Sequence, residues 1–158
     1  MDHPFGPLYD ARSEVLILGS LPSVKSREQN FFYGHPQNRF WPLLASLFGE
    51  AAPENTAEKR ALALRHHIAL WDTIQSCDIM GSSDSSIRNV VPTDLRPILA
   101  AAPIRRIFCN GRTSGLYYHK YQEKTLGIPA LTLPSTSPAN AAWTMERLRD
   151  AWSVITKP

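Results

Sequence analysis

The sequence predicts a single α/β domain, residues 1–158, in which helices cover both faces of a central four-stranded parallel sheet and so form three α/β/α layers. Short apolar runs alternate along the chain with segments of helical periodicity, and this alternation is typical of a parallel sheet. The runs are unbroken by polar residues, as expected of strands that are buried on both faces. A chain of this length buries roughly two thirds of its unfolded surface, so one core suffices.

The first strand, VLIL, is expected to be the central one, and a Gly-Ser turn follows it directly. The four predicted strands are residues 15–18, 68–71, 104–109 and 130–133. Right-handed crossovers bring the carboxyl ends of parallel strands to one edge of the sheet. Ligands of open α/β sheets bind outside that edge, so the site is expected to be built from 19–38, 72–89, 110 and 134–140.

Helices are predicted between these strands. The first spans 38–48 and ends at Gly49, and the second begins at Asn55 or Thr56 and runs to about residue 67. Thr93 is expected to cap a third helix that ends near residue 101, with Pro97 in its first turn.

Two further helices are predicted in the last third of the chain. One follows Asn110-Gly111 and carries several tyrosines. The last is expected to have Ser137 as its N-cap and Pro138 at its first position. A stripe at helical spacing marks the face that this helix should bury, namely Ala141, Met145, Leu148, Trp152 and Ile155.

Composition excludes several classes of protein. No apolar run approaches the ~20 residues that span a membrane, and the first residues lack the pattern of a signal peptide, so a cytoplasmic protein is expected. The chain has only Cys77 and Cys109, without CxxC or paired-histidine spacing. A disulfide scaffold, a zinc site and an iron-sulfur cluster are therefore unsupported, and no metal or other cofactor is expected.

Charge gives a weaker indication. The net charge is +3 and the pI is near 9.0, which is compatible with nucleic acid but also with many other partners. Basic and hydroxyl side chains fall together after the first strand, where they suit a phosphate or a flat polar ring: Ser20, Ser23, Lys25, Ser26, Arg27 and Arg39. Solvated loop charge is the alternative interpretation.

Several motifs in one order carry a family likeness. GSLPS, FFYGHPQNRFW, LWD and LPSTSPAN together resemble the uracil-DNA glycosylase superfamily over nearly the whole chain. HPQNRFW is similar to the mismatch-specific uracil-DNA glycosylases, whereas GSLPS, DSSI and LPSTSPAN most resemble the hypoxanthine-DNA (deoxyinosine) glycosylase branch. The resemblance implies a uracil-DNA glycosylase-like fold and a monofunctional DNA repair enzyme that flips and excises a deaminated base. The partner of the enzyme would be damaged DNA that contains deoxyinosine or uracil. We expect the protein to be a monomer that does not bind a membrane.

Two familiar catalytic groups of that superfamily are missing. Leu21 stands where the first motif usually has the Asp or Asn that handles the attacking water, and Leu133 stands where well-known members have a histidine. Either the chemistry has moved or the protein is a silent lesion binder. Asn38 is the candidate catalytic residue, because its carbonyl at the start of a helix would orient the water. A simple N-cap is the alternative role for Asn38.

The resemblance also implies which residues hold the flipped base. Tyr33 matches the aromatic residue that stacks on the base, with core packing as its alternative role. Asp72 lies where relatives have an asparagine that reads the Watson–Crick edge, although it also suits a cap or an ion pair. A carboxylate acceptor with a backbone donor near Ser20 or Leu21 matches hypoxanthine and uracil and rejects adenine.

DNA contacts are expected on either side of this pocket. The predicted contact residues are Ser23, Lys25, Ser26, Arg39, Ser135, Ser137 and Asn140. Residues 138–141 are also candidates for the wedge that fills the vacated stack. The segment 72–92 is a long loop in this interpretation, and its Asp84, Ser85, Ser86 and Asn89 have no assigned role. A uracil or mismatch glycosylase, and a nucleotide-binding protein outside repair, are the remaining alternatives.

Overall fold

A four-stranded parallel sheet lies at the centre of the structure, a computed structural model that describes residues 2–21, 28, 30–78 and 87–158. The strands are β1 (Val15–Gly19), β2 (Ile68–Asp72), β3 (Ile74–Asp78), β4 (Arg88–Pro92), β5 (Arg106–Asn110) and β6 (Ala130–Leu133). The parallel sheet has the order β2-β1-β5-β6, and β3 pairs with β4 in a separate antiparallel sheet. The predicted four-stranded parallel sheet is therefore confirmed.

Helices flank this sheet as the α/β prediction required. They are α1 (Phe40–Leu47), α2 (Thr56–Arg65), α3 (Arg96–Ala101), α4 (Arg112–Tyr117), α5 (Glu123–Leu126) and α6 (Met145–Trp152), with a π-helical turn at Tyr118–Gln122 and a 3-10 turn at Ser153–Thr156. Helices α1 and α6 pack against each other, α2 packs on β2, and α4 packs on β5 and β6. None of the helices within the described ranges is long and apolar enough to cross a bilayer.

Strand β1 is central because both of its edges are paired and both of its faces are covered. Val15 lies opposite Ile68 of β2 on one side and opposite Arg106 of β5 on the other. All five residues of β1 are buried, so its unbroken apolar run exposes no apolar surface to water. The same pairing aligns the carboxyl ends of the strands, where Gly19 lies opposite Asp72.

The predicted long loop after β2 is wrong, because residues 74–78 and 88–92 form the β3–β4 hairpin. The register of this pair shifts between Ile74 and Ser76 and again between Ser76 and Asp78. Ile74 and Cys77 are therefore both buried although they are three positions apart, and no alternating pattern survives in the sequence. With Ile87 they form a small second core.

The predicted start of the last helix is also wrong. Helix α6 begins at Met145, and Thr144 is its N-cap, because the Thr144 side chain accepts a hydrogen bond from the backbone N–H of Arg147. Residues 134–143 form a loop instead. Its hydroxyls bond to nearby backbone: Ser135 Oγ accepts from the N–H of Ser137, and Ser137 Oγ accepts from the N–H of Ala139. Such local bonds compete with a helical backbone.

Thr93 does not cap the third helix as predicted. Its side chain is buried, and its hydroxyl donates to the backbone carbonyl of Asp72 at 2.7 Å. Helix α3 begins at Arg96, whose backbone N–H donates to Asp94 Oδ1 at 3.1 Å. Thr93 therefore belongs to the support beneath the end of β2, and Asp94 satisfies the free amide at the helix start.

Candidate active site

The carboxyl edge of the parallel sheet collects polar side chains from two strands and from the loops that follow β1 and β6. Gly19 ends β1 opposite Asp72 of β2, and Asn110 ends β5 opposite Leu133 of β6. The loop 134–143 follows β6 at the same edge, and its Thr136 bonds to Asn110. The edge that sequence reasoning selected is therefore where these groups meet.

Gly19 is in close contact with the candidate base-reading residue. A Cβ atom at position 19 would overlap with Asp72 Oδ1 and lie 3.2 Å from the Tyr33 hydroxyl. The Gly19 carbonyl accepts from the backbone N–H of Thr73 at 2.8 Å and lies within reach of the Ser114 hydroxyl at 3.3 Å. Only a hydrogen atom fits beside the carboxylate here, so the glycine is required by space rather than by backbone conformation.

Asp72 is buried and paired with a histidine from the start of the chain. Asp72 Oδ2 lies 2.6 Å from His3 Nε2, and the two side chains are only 6% and 0% exposed. The backbone N–H of Phe5 points to His3 Nδ1 at 3.5 Å. We assign the proton of the imidazole to Nε2, so that Nε2 donates to the carboxylate and Nδ1 accepts from the Phe5 N–H. Asp72 Oδ1 remains, on the side of Gly19 and Tyr33.

Tyr33 combines a stacked ring with a buried hydroxyl. Its ring lies on that of Phe40, with centroids 4.2 Å apart and an interplanar angle of 26°. Its hydroxyl has no hydrogen-bond partner among the described residues. Burial raises the pKa of Tyr33, the Asp72 carboxylate adds to this rise, and the nearby Asn110 amide opposes it. The phenol therefore stays protonated, with a donor that points into the space beside Asp72.

Asn38 lies directly before α1, half-buried, with its carbonyl oxygen engaged twice. Asn38 Oδ1 accepts from the backbone N–H of Phe40 and from the hydroxyl of Thr136, each at 2.9 Å. Asn110 Nδ2 donates in turn to Thr136 Oγ1 at 3.0 Å, and the Thr136 N–H donates to Asn110 Oδ1 at 3.1 Å. The N-cap of α1 is Arg39, so the N-cap that was the alternative role for Asn38 is not formed as predicted, and the bond to Phe40 instead closes a turn just before the helix. The hydrogen-bonded series Asn110–Thr136–Asn38 fixes the orientation of the Asn38 amide.

Arg39 contacts protein rather than solvent. Its guanidinium donates to three backbone carbonyls of the loop, those of Ser137 at 2.9 Å, Asn140 at 3.1 Å and Trp143. Its own N–H donates to the carbonyl of Thr136 at 3.1 Å. The observed role of Arg39 is therefore to tie the loop 134–143 to the start of α1, and its predicted contact with DNA stays a prediction.

The loop 134–143 carries three of the predicted DNA-contact residues. Ser135, Ser137 and Asn140 lie in it half-buried, and Asn140 Nδ2 donates to the carbonyl of Ser135 at 3.0 Å. These residues do not open a helix, so Ser137 is not the predicted N-cap, and the contact of the three residues with DNA stays a prediction. The tip of the loop exposes Ala139 and Ala141, which lie within the predicted wedge.

The remaining candidates divide between the pocket and segments outside the described residues. Ser20 and Leu21 are half-buried; the Ser20 carbonyl accepts from the N–H of Ile74 at 3.0 Å, and Leu21 packs on the second core. The predicted DNA contacts Ser23, Lys25 and Ser26 lie outside the described residues, as do Asp84, Ser85 and Ser86, which had no assigned role. Asn89 is described and donates from Nδ2 to Asp78 Oδ2 at 2.7 Å, within the hairpin.

Sequence reasoning missed His3. The residue stands in the segment MDHPF, which carries no motif, and its partner Asp72 is 69 positions away. Asn110 was assigned to the edge, but its bonds to Thr136 were not foreseen. Locally, His3 is followed by Pro4 and Phe5, and this sequence context is typical of packing as much as of function.

The assembled site offers three kinds of group to a planar polar ligand. The Asp72 Oδ1 atom accepts, the Tyr33 hydroxyl donates, and the Tyr33 ring provides a stacking surface. Beside them, the half-buried amide of Asn38 faces the same edge. Such fixed dipoles act strongly where water is excluded.

Comparison with known proteins agrees with this geometry. The chain matches the family model described as Uracil DNA glycosylase superfamily over residues 6–156. A "Hypoxanthine DNA glycosylase" of Methanosarcina acetivorans is 34% identical over 153 residues, covering 96% of this chain and 95% of that protein. A second "Hypoxanthine DNA glycosylase", from Methanosarcina barkeri, is 32% identical over 155 residues, covering 97% and 96%.

A solved structure is similar as well. The solution NMR structure of a candidate uracil DNA glycosylase from Methanosarcina acetivorans superimposes with a TM-score of 0.84 at 31% identity, covering 98% of this chain and 96% of that one. The family resemblance predicted from the motifs is thus confirmed over nearly the full length. The chain belongs to the uracil DNA glycosylase superfamily.

Proposed function

We propose that this protein is a monofunctional DNA glycosylase that flips a deaminated base, hypoxanthine before others, and hydrolyses its N-glycosidic bond to leave an abasic site. One observation carries the substrate assignment: a buried carboxylate at the end of β2 keeps one oxygen free beside a glycine and an aromatic ring. The similarity to two proteins named hypoxanthine DNA glycosylase supports the same substrate.

Hydrogen bonding explains the choice between bases. Hypoxanthine has a ring N–H donor next to a carbonyl acceptor, and adenine has the reverse order. Asp72 Oδ1 accepts from the ring N–H, and a backbone N–H near Ser20 or Leu21 donates to the carbonyl. Adenine would leave the buried carboxylate facing a lone pair, and sites built on hydrogen bonds reject such analogues by about 10⁴- to 10⁵-fold.

Stacking holds the base in the pocket. One face of the Tyr33 ring lies on Phe40, and the other face receives the flipped base. Stacking of this kind contributes roughly 1 to 3 kcal/mol per base. A deaminated base pairs poorly in the duplex, which lowers the cost of extrusion and adds to selectivity.

Hydrolysis depends on a water molecule that Asn38 orients. Cleavage of the bond develops positive charge on the sugar, and water adds from the face opposite the base. The water donates to Asn38 Oδ1 and competes there with the Thr136 hydroxyl, which rotates about a single bond. Leu21 and Leu133, which replace the usual catalytic residues, pack in the second and the main core respectively, so the chemistry is assigned to Asn38.

The reaction stops at the abasic site. Strand cleavage by a glycosylase needs an amine that forms a Schiff base with the sugar. None of the residues described at the carboxyl edge, namely 19–21, 33, 38, 72, 110 and 134–140, is a lysine. The loop 134–143, through Ser135, Ser137 and Asn140, contacts the DNA backbone, and Ala139 to Ala141 enter the stack.

The same proposal covers the state of the protein. We propose a single-domain monomer that acts on DNA in the cytoplasm. Ser23, Lys25 and Ser26 follow the first turn in the sequence and are assigned to phosphates, with the field of the basic surface assisting association.

Base release from synthetic duplexes tests the function. Duplexes that carry deoxyinosine, uracil or xanthine, and an undamaged duplex as control, are incubated with the protein, and free base is measured by chromatography. We expect hypoxanthine release and no release from the undamaged duplex. Binding to lesion DNA without release of any base would instead identify a silent lesion binder.

A uracil or mismatch glycosylase is the second candidate, because uracil has the same order of donor and acceptor as hypoxanthine. Asp72 alone cannot separate the two bases, so pocket size must. Release of uracil from its duplex, with no release of hypoxanthine from the deoxyinosine duplex, would favour this candidate over the first.

A further inference from the structure

We propose that His3 is a positioning residue for base recognition: it holds Asp72 so that Oδ1 faces the flipped base as a hydrogen-bond acceptor. The inference rests on the proposed function, since Asp72 reads the base only if the protein excises one. His3 lies outside every motif of the family resemblance, and the N-terminal segment thereby becomes part of the active site.

The contact itself leaves little freedom to the carboxylate. Asp72 Oδ2 and His3 Nε2 are 2.6 Å apart and both side chains are buried. The N–H of Phe5 faces Nδ1, so the donor of the pair is His3 and the acceptor is Asp72. Among the described residues no other side chain bonds to either carboxylate oxygen. Without His3 a buried carboxylate would lose its polar partner, which is strongly unfavourable.

The position of His3 is fixed from three sides. Its backbone N–H donates to the carbonyl of Gln75 at 2.7 Å, which attaches the segment to β3. Its ring lies over Trp71 with centroids 4.2 Å apart and meets Phe5 edge-on at 4.7 Å. Leu8 then exchanges backbone hydrogen bonds with Leu70 of β2 at 3.0 and 2.8 Å. The imidazole is therefore delivered to Asp72 in one orientation.

The orientation has a consequence for the other oxygen. With Oδ2 on His3, Oδ1 lies on the side of Gly19 and the Tyr33 hydroxyl. A carboxylate that accepts from a histidine has no proton to donate and offers only lone pairs. His3 therefore leaves Oδ1 as the acceptor that faces the ring N–H of hypoxanthine.

Two substitutions separate the hydrogen bond from packing. His3→Leu keeps an apolar side chain against Trp71 but removes the donor, and His3→Gln retains an N–H near the position of Nε2. Single-turnover release of hypoxanthine should fall by about 10- to 100-fold in His3→Leu, as for loss of a hydrogen bond to a charged group. In His3→Gln the rate should stay within about threefold of the parental rate. His119→Leu, at a side chain that is 78% exposed, is the matched control and should release hypoxanthine like the parent.

A second readout distinguishes positioning from structural damage. DNA with an abasic site offers no base to Asp72, so His3→Leu should bind it like the parent while losing cleavage of deoxyinosine. In an Asp72→Asn background, His3→Leu should have little further effect, because both changes break one interaction. Equal loss of abasic-site binding and cleavage, or additive effects of the two substitutions, would overturn the role.

The parent protein separates the two proposals. If it releases no base, the proposed function fails and the His3 experiment says nothing in its favour. If the parent releases hypoxanthine and folded His3→Leu does so at the same rate, the function stands and the positioning role is wrong. Where His3→Leu does not fold, His3→Gln carries the test alone: folded His3→Gln should release hypoxanthine within about threefold of the parent, and a loss of about tenfold or more would overturn the role of the hydrogen bond.

Discussion

Gly19 and Asp72 lie opposite each other in the register of β1 and β2, so close that a methyl group on Gly19 would overlap with Asp72 Oδ1. The pairing of two strands thus sets the position of a carboxylate to within the size of one atom. It also explains why a glycine ends an otherwise fully apolar strand. The geometry of the pocket is a direct product of the sheet.

Gly19→Ala should displace the Asp72 carboxylate and abolish most cleavage. A misplacement of about 1 Å costs on the order of 10²-fold in rate, and the added methyl group costs about 1 to 3 kcal/mol of stability. Gly6→Ala is the control, because a Cβ there has no atom within 4 Å. Base release and thermal unfolding measure both effects. Parent-like cleavage by Gly19→Ala would show that Asp72 Oδ1 does not need its observed position.

Asn38→Ala should lower hypoxanthine release by about 10² to 10³ while leaving DNA binding intact, as expected for loss of one preorganised polar group. The matched control is Asn55→Ala, since Asn55 caps α2 by accepting from the N–H of Glu58 at 2.8 Å. Each variant should lose about 1 kcal/mol of unfolding free energy, Asn55→Ala from its cap and Asn38→Ala from its bonds to Phe40 and Thr136. Only Asn38→Ala should lose chemistry; equal activities of the two variants would reduce Asn38 to a structural residue.

Tyr33 should act through its ring rather than its hydroxyl. Tyr33→Phe removes a buried hydroxyl that has no partner among the described residues, so it should be neutral or slightly stabilising and should keep most cleavage. Tyr33→Leu should lose about 1 to 3 kcal/mol of lesion binding because the stacking surface is gone. Binding and single-turnover release are the measurements. A large loss in Tyr33→Phe would instead assign the hydroxyl to the base.

Arg39→Lys should impair cleavage on the order of tenfold or more, because a single ammonium cannot serve carbonyls that a planar guanidinium holds. The salt dependence of DNA binding should stay as in the parent, because the positive charge is retained. Arg60→Lys, on the exposed face of α2, is the control. A different result would contradict this role: Arg39→Lys cleaves like the parent, and Arg39→Gln weakens the salt dependence of DNA binding. Arg39 would then act through its charge and not through its contacts with the loop.

Glu50 should make stability depend on acid pH. The Arg65 guanidinium, and after it the His66 imidazole, lowers the pKa of Glu50 from 4.5 to about 2 in the folded protein. This pairing therefore stabilises the fold above pH 4.5 and is lost as the pH falls to about 2. Glu50→Gln should lower the Tm at neutral pH and match the parent near pH 2. Glu54→Gln, at a side chain outside the salt bridges of the described residues, should show no such trend. A Tm difference that persists to the lowest pH would contradict the prediction.

The parts of the fold that the sequence predicted are those where one local rule decides the structure. The run Val15 to Leu18 is buried on both faces, so its apolar pattern and its position agree. Asn55 caps its helix as expected. The turns after parallel strands meet at one edge whatever their details, which is why the location of the site was predictable.

The sequence did not predict the features that depend on contacts between residues far apart in the chain. Ser137 suits an N-cap, but its backbone carbonyl accepts a hydrogen bond from Arg39, almost a hundred positions away. The helix begins later, after Thr144 as its N-cap. The hairpin has no alternating pattern because its register shifts. His3 and Asp72 meet only through the fold, so no spacing along the chain reports their bond.

The position of His3 bears directly on how the protein is to be produced. An affinity tag fused before Met1 would lie two residues from the imidazole and beside the strand pairing of Asp2 with Ser76. The C-terminal residues Lys157 and Pro158 are exposed and far along the chain from these contacts. Purification handles therefore belong at the C-terminus, and an inactive preparation with an N-terminal tag is evidence about the tag before it is evidence about the enzyme.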